Sequence, residues 1–463
     1  MADRAVPAAG AGPTERVPVR FEGDGAGVGE LTWGQRELWE QMRQRQTWMP
    51  VGGVLRLAPG TTVADVAADL RFVMSRYPSM RTRLRFDPDG PRQVVAAAGE
   101  LELEVVDAAD GADPARVAID VWLRYWQRDY DFTTEWPVRM AVVRHRGVPD
   151  RRVWMMCHLV TDGIGGRVIL QELADRDRSA AGTAMPPLAQ AHWQGSPAGQ
   201  RQCQAALRHW EKVLRAAPAQ RFPPPDGRPP ARYWQARLDS PAMHLAVRAI
   251  SERTAVESAS VLLAVFAVAQ ARVTGRTPVV TQVVASNRFR PGLARTVSPI
   301  AQNGLCTIEV PDTTVDDVVT RTRRRAMVAY KHAYYDPARR DALIARVSRE
   351  RGGAIDLDCV FNDRRLKPRE LAGGPPATPE QIRAALPDSR FEWTHQQDQV
   401  QFDGLSVNIE DVSEPVQITM PFDTDRVAPS DVEACLRGME EVAVAAGCDP
   451  AARTRLPPGT GRP

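Results

Sequence analysis

The chain of 463 residues has 60 lysines and arginines against 57 aspartates and glutamates, a formal net charge of +3. So small a charge, spread along the chain, argues against a nucleic-acid-binding protein. Hydrophobic residues make up 43% of the chain, and the longest apolar stretch, residues 261–269, is far shorter than the roughly 20 residues that span a bilayer. The composition therefore predicts a globular protein of roughly two or three domains, with no membrane anchor.

The six cysteines are scattered, with no CxxC pair. Their spacing predicts neither a metal site nor a disulfide framework, and it favours the reducing cytoplasm. The first 30 residues are rich in Ala, Gly and Pro without the apolar core of a secretory signal, which predicts a mobile tail. Neither a GxSxG nucleophile elbow nor a GxxxxGK[ST] phosphate loop occurs in the chain, which argues against the chemistry of those motifs.

Two helix starts follow the tail. Thr32-Trp33-Gly34-Gln35 is a capping-box pattern ahead of an apolar face, and Thr62 to Asp65 begins a second helix that ends before Pro78. Apolar and arginine residues then alternate, which predicts a half-buried strand. The inward set is Met80, Thr82, Leu84 and Phe86, and the outward set is Arg81, Arg83 and Arg85.

An HxxxDG sequence follows an apolar run that ends at Cys157. This run and residues 138–143 predict the two arms of a hairpin, which would hold His158 firmly at a strand end. Asp162 is placed to cap the next helix, and Gly163 lets backbone approach the site closely. Because an imidazole exchanges protons near neutral pH, His158 could act as a general base. HxxxD alone is short, however, and by itself favours a core histidine with a capping aspartate.

Further segments accompany this motif in a specific order. They are Leu31 to Trp39, Arg76 to Thr82, Trp136 to Arg139, Cys157 to Gly163, His209-Trp210, Asn287-Arg288 and Ser298 to Asn303. Together they resemble the motifs and landmarks of the condensation-domain superfamily of nonribosomal peptide synthesis, with Cys157 to Gly163 in the place of HHxxxDG. The resemblance covers most of the chain.

The resemblance implies an α/β fold of two chloramphenicol-acetyltransferase-like lobes in a V-shaped pseudo-dimer. The active site would lie at their junction, in a tunnel open to both faces. By the same resemblance His158 is the catalytic residue, and Asp162 stabilises its loop by pairing with Arg288. Gly163 belongs to the supporting motif. Asn303 would hydrogen-bond backbone at the tunnel, although an asparagine in a turn explains this position about as well.

Two positions depart from the family pattern. Cys157 replaces the first motif histidine, and because side chains alternate along a strand it should face away from His158. We therefore expect a small buried cysteine in the space of a packing histidine, and no nucleophilic dyad. Gly165 and Gly166 replace larger residues, which could enlarge the acceptor side of the substrate site or simply loosen the start of the helix.

The predicted domain organisation has five parts. Residues 1–29 are a flexible tail, residues 30–180 an N-terminal lobe with the HxxxDG motif, residues 181–235 a connecting helix and Pro-rich linker, residues 236–455 a C-terminal lobe, and residues 456–463 a tail. The alternation of helices and strands in the second half favours α/β layering.

The predicted function is a free-standing condensation enzyme that joins an acyl or aminoacyl thioester to an amine, with ester formation as a variant. It would use no bound cofactor or metal. Its substrate would arrive on the phosphopantetheine of a carrier protein in trans, and a small amine or alcohol would be the acceptor. The alternatives are an acyltransferase that uses coenzyme A thioesters, a non-catalytic recruitment domain and, less favoured, an epimerase.

Overall fold

The computed structural model describes residues 11–175, 184–223, 225, 227, 229–365, 376–398, 404–412 and 415–457. The chain divides into two compact units. The first consists of Met1–Arg201 with Ser286–Ala301, and the second of Gln202–Ala285 with Gln302–Pro463. Residues 286–301, which the sequence prediction counted in the C-terminal lobe, thus pack within the first unit.

The first unit is built on a mixed five-stranded sheet. Its strands are β1 (Ala11–Glu22), β3 (Pro50–Arg56), β6 (Ala98–Ala108), β7 (Val138–His145) and β8 (Val148–Cys157), in the order β1-β6-β7-β8-β3. A three-stranded sheet of the same unit contains β2 (Gly27–Glu30), β4 (Thr82–Asp87) and β5 (Gly90–Val95), in the order β2-β5-β4. The predicted hairpin before His158 is confirmed, since β7 and β8 pair antiparallel.

The first unit also contains helices, of which the second and third contact strands of the large sheet. They are α1 (Trp33–Arg45), α2 (Val63–Arg76), α3 (Pro114–Gln127), α4 (Gly163–Asp175) and α5 (Pro187–Gly195). The predicted capping box at Thr32 is confirmed, because the Thr32 hydroxyl accepts from the Gln35 N–H and the Gln35 side chain accepts from the Thr32 N–H. The predicted helix start at Thr62 is also confirmed, and there the Thr62 hydroxyl accepts from the Asp65 N–H. The core joins buried side chains of α2, α3 and α4 to those of β7 and β8, among them Leu70, Val121, Ile169, Val142 and Val153.

The second unit contains a seven-stranded mixed sheet. Its strands are β9 (Tyr233–Ser240), β10 (Val279–Ala285), β11 (Gln302–Ile308), β12 (Cys359–Asp363), β13 (Arg390–Gln397), β14 (Leu405–Ile409) and β15 (Val416–Asp423), in the order β11-β10-β12-β14-β15-β9-β13. Its helices are α7 (Pro241–Thr254), α8 (Ser258–Thr274), α9 (Val315–Lys331), α10 (Pro337–Glu350), α11 (Pro379–Ala384) and α12 (Pro429–Cys448). The helix α6 (Pro197–Ala216) begins in the first unit and continues into the second.

The apolar run in residues 261–269 is the centre of α8, and every side chain of the run is buried in the core of the second unit. Among the helices of the described residues, none alone is long and apolar enough to span a membrane. Only α7 and α8 taken together, with a bend of 111° between them, have the required length and composition.

The prediction of a flexible tail over residues 1–29 is wrong for residues 11–29. Residues 11–22 form β1, which pairs with β6, and residues 27–30 form β2, which pairs with β5. The partner strands lie far along the chain, from residue 90 onward, so the local composition gave no signal of the pairing. Residues 1–10 lie outside the described part of the chain.

Two residues of the predicted alternating strand also differ from expectation. Arg81 is fully buried, because its guanidinium donates to the carbonyl groups of Gly23, Asp24 and Ala96. Phe86 is 52% exposed and contacts Trp39, with their ring centroids 5.3 Å apart. Arg81 ends a 3-10 helix, Pro78–Arg81, just before β4, and Phe86 lies near the end of β4, so the predicted alternation fails at both positions.

The segment predicted as a connecting helix and Pro-rich linker, residues 181–235, contains α5, α6 and the start of β9. Its predicted first boundary falls among residues 176–183, outside the described ranges. Of the predicted C-terminal tail, residues 456 and 457 are described, and Leu456 packs against the core of the second unit.

Candidate active site

His158 is the first residue after β8. Its backbone N–H donates to the carbonyl oxygen of Met49 over 3.2 Å, and the turn closes where the Val160 N–H donates to the Cys157 carbonyl over 3.1 Å. Because β8 lies between β7 and β3 in the sheet, the strand end that carries His158 is supported on both sides.

The His158 ring is half-buried, and its Nδ1 lies 2.8 Å from the carbonyl oxygen of Thr161. A carbonyl oxygen only accepts hydrogen bonds, so the contact requires a proton on Nδ1. In the neutral imidazole, Nε2 then carries the lone pair and is the nitrogen able to accept a proton. The sequence motif did not identify Thr161 as the residue that fixes the tautomer, because the contact involves its main chain.

Asp162 caps α4 and holds Arg288. Its Oδ1 accepts from the Gly165 N–H over 2.8 Å and from Arg288 Nη2 over 2.6 Å. Its Oδ2 accepts from Arg288 Nη1 over 2.9 Å and from the N–H groups of Ile300 and Ala301 over 3.3 Å each. The carboxylate is thus engaged by backbone and guanidinium donors, while His158 Nδ1 is held by Thr161. This geometry makes Asp162 a structural anchor, unlike the aspartate of a catalytic triad.

Arg288 is presented by a specific backbone conformation. The preceding residue, Asn287, has a φ of +56°, a left-handed conformation that asparagine tolerates better than most residues. The Asn287 side-chain amide donates to the Ile300 carbonyl over 2.9 Å, and Arg288 Nη2 also donates to the Thr296 carbonyl over 3.0 Å. Hydrogen bonds within the same segment thus hold Arg288 in the position from which it pairs with Asp162.

The two motif glycines have different surroundings. A Cβ at Gly165 would lie 2.6 Å from Thr161 Oγ1 and 3.4 Å from both Asp162 Oδ1 and Arg288 Nη2. Gly165 is therefore needed for close packing against the ion pair, and its expected role in enlarging the substrate site has no support in this geometry. A Cβ at Gly163 would meet no atom within 4 Å, so the backbone at the start of α4 borders open space.

Cys157 is buried, and burial makes its thiol a weak acid. Its side chain is 1% exposed, and Sγ lies 3.5 Å from the carbonyl oxygen of Trp48, to which the thiol donates. Burial raises the pKa of this thiol to about 12, so the reactive thiolate is scarce near neutral pH. The expected packing role of Cys157 accords with this burial.

Asn303 belongs to the second unit and lies within β11, opposite Val284 of β10. It therefore lies in a strand and not in a turn, the alternative that the sequence also allowed. Its side-chain amide donates to Gln282 Oε1 over 3.2 Å, and its carbonyl oxygen accepts from the Tyr335 hydroxyl over 2.8 Å. Within the described ranges, no group of three or more His, Cys, Asp or Glu side chains is arranged to hold a metal ion.

A family model of the condensation domain matches residues 27–454. The chain belongs to the condensation-domain family. This condensation domain is 28% identical over 257 residues to the AMB antimetabolite synthetase AmbB of Pseudomonas aeruginosa. The match covers 52% of this chain and 20% of the synthetase, so the chain spans about a fifth of that relative's length.

Solved condensation domains share the fold. The condensation domain of the Monacolin K polyketide synthase MokA superposes with a TM-score of 0.70 at 16% identity, over 92% of this chain and 99% of that one. A condensation domain that mediates chain release from the enacyloxin polyketide synthase has a TM-score of 0.70 at 18% identity, over 94% of this chain and 84% of that one. The expected α/β fold of the chloramphenicol-acetyltransferase type is confirmed.

Removal of one partner of the Asp162–Arg288 pair should strongly destabilise the protein, because both side chains are below 10% exposed and the remaining charge would be buried alone. We expect Asp162→Ala and Arg288→Met each to lower the free energy of unfolding by about 3–5 kcal/mol. The double variant should lose less than the sum of the two. Urea denaturation followed by tryptophan fluorescence measures these changes.

The matched control is the exposed pair Arg16–Glu102, with side chains 68% and 55% exposed, whose removal should change stability little. Strictly additive losses at Asp162 and Arg288, or losses no larger than those of the control pair, would contradict the structural role of the buried pair.

The burial of Cys157 predicts slow alkylation. In iodoacetamide labelling at pH 8, half-buried Cys448 should react before Cys157, and Cys157 should react only when the protein unfolds. Peptide mass spectrometry with and without urea measures both sites. Rapid modification of Cys157 in the folded protein would show that its thiol is accessible and ionised, contrary to this description.

Proposed function

We propose that this condensation domain transfers an acyl or aminoacyl group from a carrier-protein-bound thioester to an amine, forming an amide. The observation that carries the proposal is the 2.8 Å contact between His158 Nδ1 and the Thr161 carbonyl, which leaves Nε2 as the proton acceptor. The family membership supports it, because the condensation-domain model matches residues 27–454, which include His158.

In the proposed reaction, the acceptor amine attacks the thioester carbonyl carbon. A new C–N bond forms, and negative charge develops on the carbonyl oxygen. His158 Nε2 accepts the proton that the amine loses. The C–S bond then breaks, and the departing sulfur takes up that proton and leaves as the thiol. His158 can equally assist by fixing the position of the amine, a role that depends on the same ring orientation.

The start of α4 supplies the second part of the proposed mechanism. The first N–H groups of a helix lack intrahelical partners and bear partial positive charge. Gly163 leads α4 and borders open space, so a substrate oxygen could approach its backbone without a steric obstacle. We infer that N–H donors near Gly163 stabilise the oxyanion, a contribution that preorganised donors make effectively.

The acyl thioester is the donor substrate. In the proposed reaction it is attached to the phosphopantetheine of a carrier protein acting in trans, and no metal or bound cofactor takes part. The acceptor is a small amine, or an alcohol in an ester-forming variant. The six cysteines are all free thiols, which suits the reducing cytoplasm that we propose as the location.

The proposal predicts product from acyl-loaded carrier proteins. We would offer loaded carriers, or the same acyl groups on coenzyme A, with a panel of amines and alcohols, and detect products by mass spectrometry. Because His158→Ala removes the proton acceptor, it should lower the rate by about 10²- to 10⁴-fold. His395→Ala, at an exposed position of β13, is the matched control and should leave the rate unchanged.

Full activity in a folded His158→Ala protein would overturn the proposed role of His158. Product from coenzyme A thioesters without a carrier would assign the protein to the acyltransferases that use coenzyme A. Stable carrier binding with no turnover of any substrate would instead favour a recruitment role.

A further inference from the structure

Met49 adopts a left-handed backbone conformation, with a φ of +46°, directly beside the His158 turn. A residue with a Cβ rarely adopts this conformation, and such strain persists only where the surrounding structure enforces it. Strained backbone of this kind is concentrated at functional sites. The contacts of Met49 identify what its conformation does.

Both sides of Met49 are held by hydrogen bonds. Its N–H donates to the Thr47 hydroxyl over 3.2 Å, and its carbonyl oxygen accepts from the His158 N–H over 3.2 Å. The preceding carbonyl, that of Trp48, accepts from the Cys157 thiol over 3.5 Å. Two consecutive carbonyl groups therefore hold Cys157 and His158, which are themselves consecutive.

The strand register shows what the Met49 carbonyl contributes. Regular pairing of β3 with β8 ends where Pro50 lies opposite Cys157, so His158 is beyond the ladder. Cys157 directs its own N–H away from β3, to the Pro137 carbonyl, so the lack of an N–H on Pro50 removes no hydrogen bond from this ladder. The Met49 carbonyl accepts from the His158 N–H and so extends the support by one residue, and the left-handed conformation of Met49 marks the point where the chain enters the strand.

We propose that Thr47 and Met49 are positioning residues for His158, holding its backbone so that Nε2 keeps its orientation toward the substrate. This inference rests on the proposed function of His158. It requires the backbone conformation of Met49 and the hydroxyl of Thr47. The thioether of Met49 takes no part in it.

The backbone hypothesis and a side-chain packing hypothesis predict opposite rankings of Met49 variants. Glycine and asparagine adopt positive φ readily, whereas β-branched valine does not. We expect Met49→Gly and Met49→Asn to retain a kcat near that of the wild type. Met49→Val should lose about 10- to 100-fold in kcat with KM for the loaded carrier unchanged, as expected from a small misplacement of the catalytic group.

Thr47 provides an independent pair of variants. Thr47→Ser keeps the hydroxyl acceptor and should retain kcat, whereas Thr47→Val, which has nearly the same shape, should lower it. A ranking in which Met49→Gly is as impaired as Met49→Val would overturn the inference, since it would follow side-chain volume. Equal activity of Thr47→Ser and Thr47→Val would overturn the role of Thr47.

A second readout separates this inference from the proposed function. In ¹⁵N-histidine NMR, with the His158 signals assigned by their loss in His158→Ala, the wild type should show the Nδ1–H tautomer. Met49→Val should shift the His158 signals toward a mixture of tautomers, and Met49→Gly should not. If no protein turns over substrate, the proposed function fails while this NMR comparison still decides the positioning role. An unchanged His158 spectrum in Met49→Val would overturn it.

Discussion

The buried carboxylate of Asp162 is the interaction on which the rest of the site depends. It accepts hydrogen bonds from the first turn of α4, from the guanidinium of Arg288, and from the backbone of Ile300 and Ala301. A buried charge is tolerated only when it is paired and hydrogen-bonded. Since these donors lie far apart in the sequence, the carboxylate fixes the start of α4 and residues 286–301 together within one unit.

The histidine and the aspartate of the HxxxDG motif have separate roles in this arrangement. In a Ser-His-Asp triad the aspartate sets the tautomer of the histidine. Here a main-chain carbonyl, that of Thr161, takes this part, and Asp162 is occupied elsewhere. Cys157 faces the carbonyl of Trp48 and takes no part in proton transfer on this account.

The sequence predicted the parts of the structure that depend on local rules. Helix caps follow from one hydroxyl and the residue three positions later, so the starts at Thr32 and Thr62 were predicted correctly. Thr314, in a later sequence similar to that around Thr62, also caps its helix. The α/β class was predictable from alternating patterns and from the order of the motifs.

The parts that could not be predicted depend on contacts with distant main chain. Arg81 can be buried because its guanidinium donates hydrogen bonds to three backbone carbonyl groups. Residues 11–22 form a strand because they pair with β6. The roles of Thr161 and Met49 rest on their carbonyl groups, which every residue type possesses. Side-chain identity therefore carries no signal for them, apart from the unusual φ that only the structure reveals.

The central claim is that His158 performs the chemistry while Asp162 supports the architecture, and kcat of Asp162→Asn tests it most directly. Asparagine keeps an oxygen to accept from the Gly165 N–H, and Thr161 still sets the His158 tautomer. With kcat expressed per folded molecule, as measured by circular dichroism, the account predicts a value within about tenfold of the wild type. A loss of about 10⁴-fold in a fully folded variant, as expected of a triad aspartate, would contradict it.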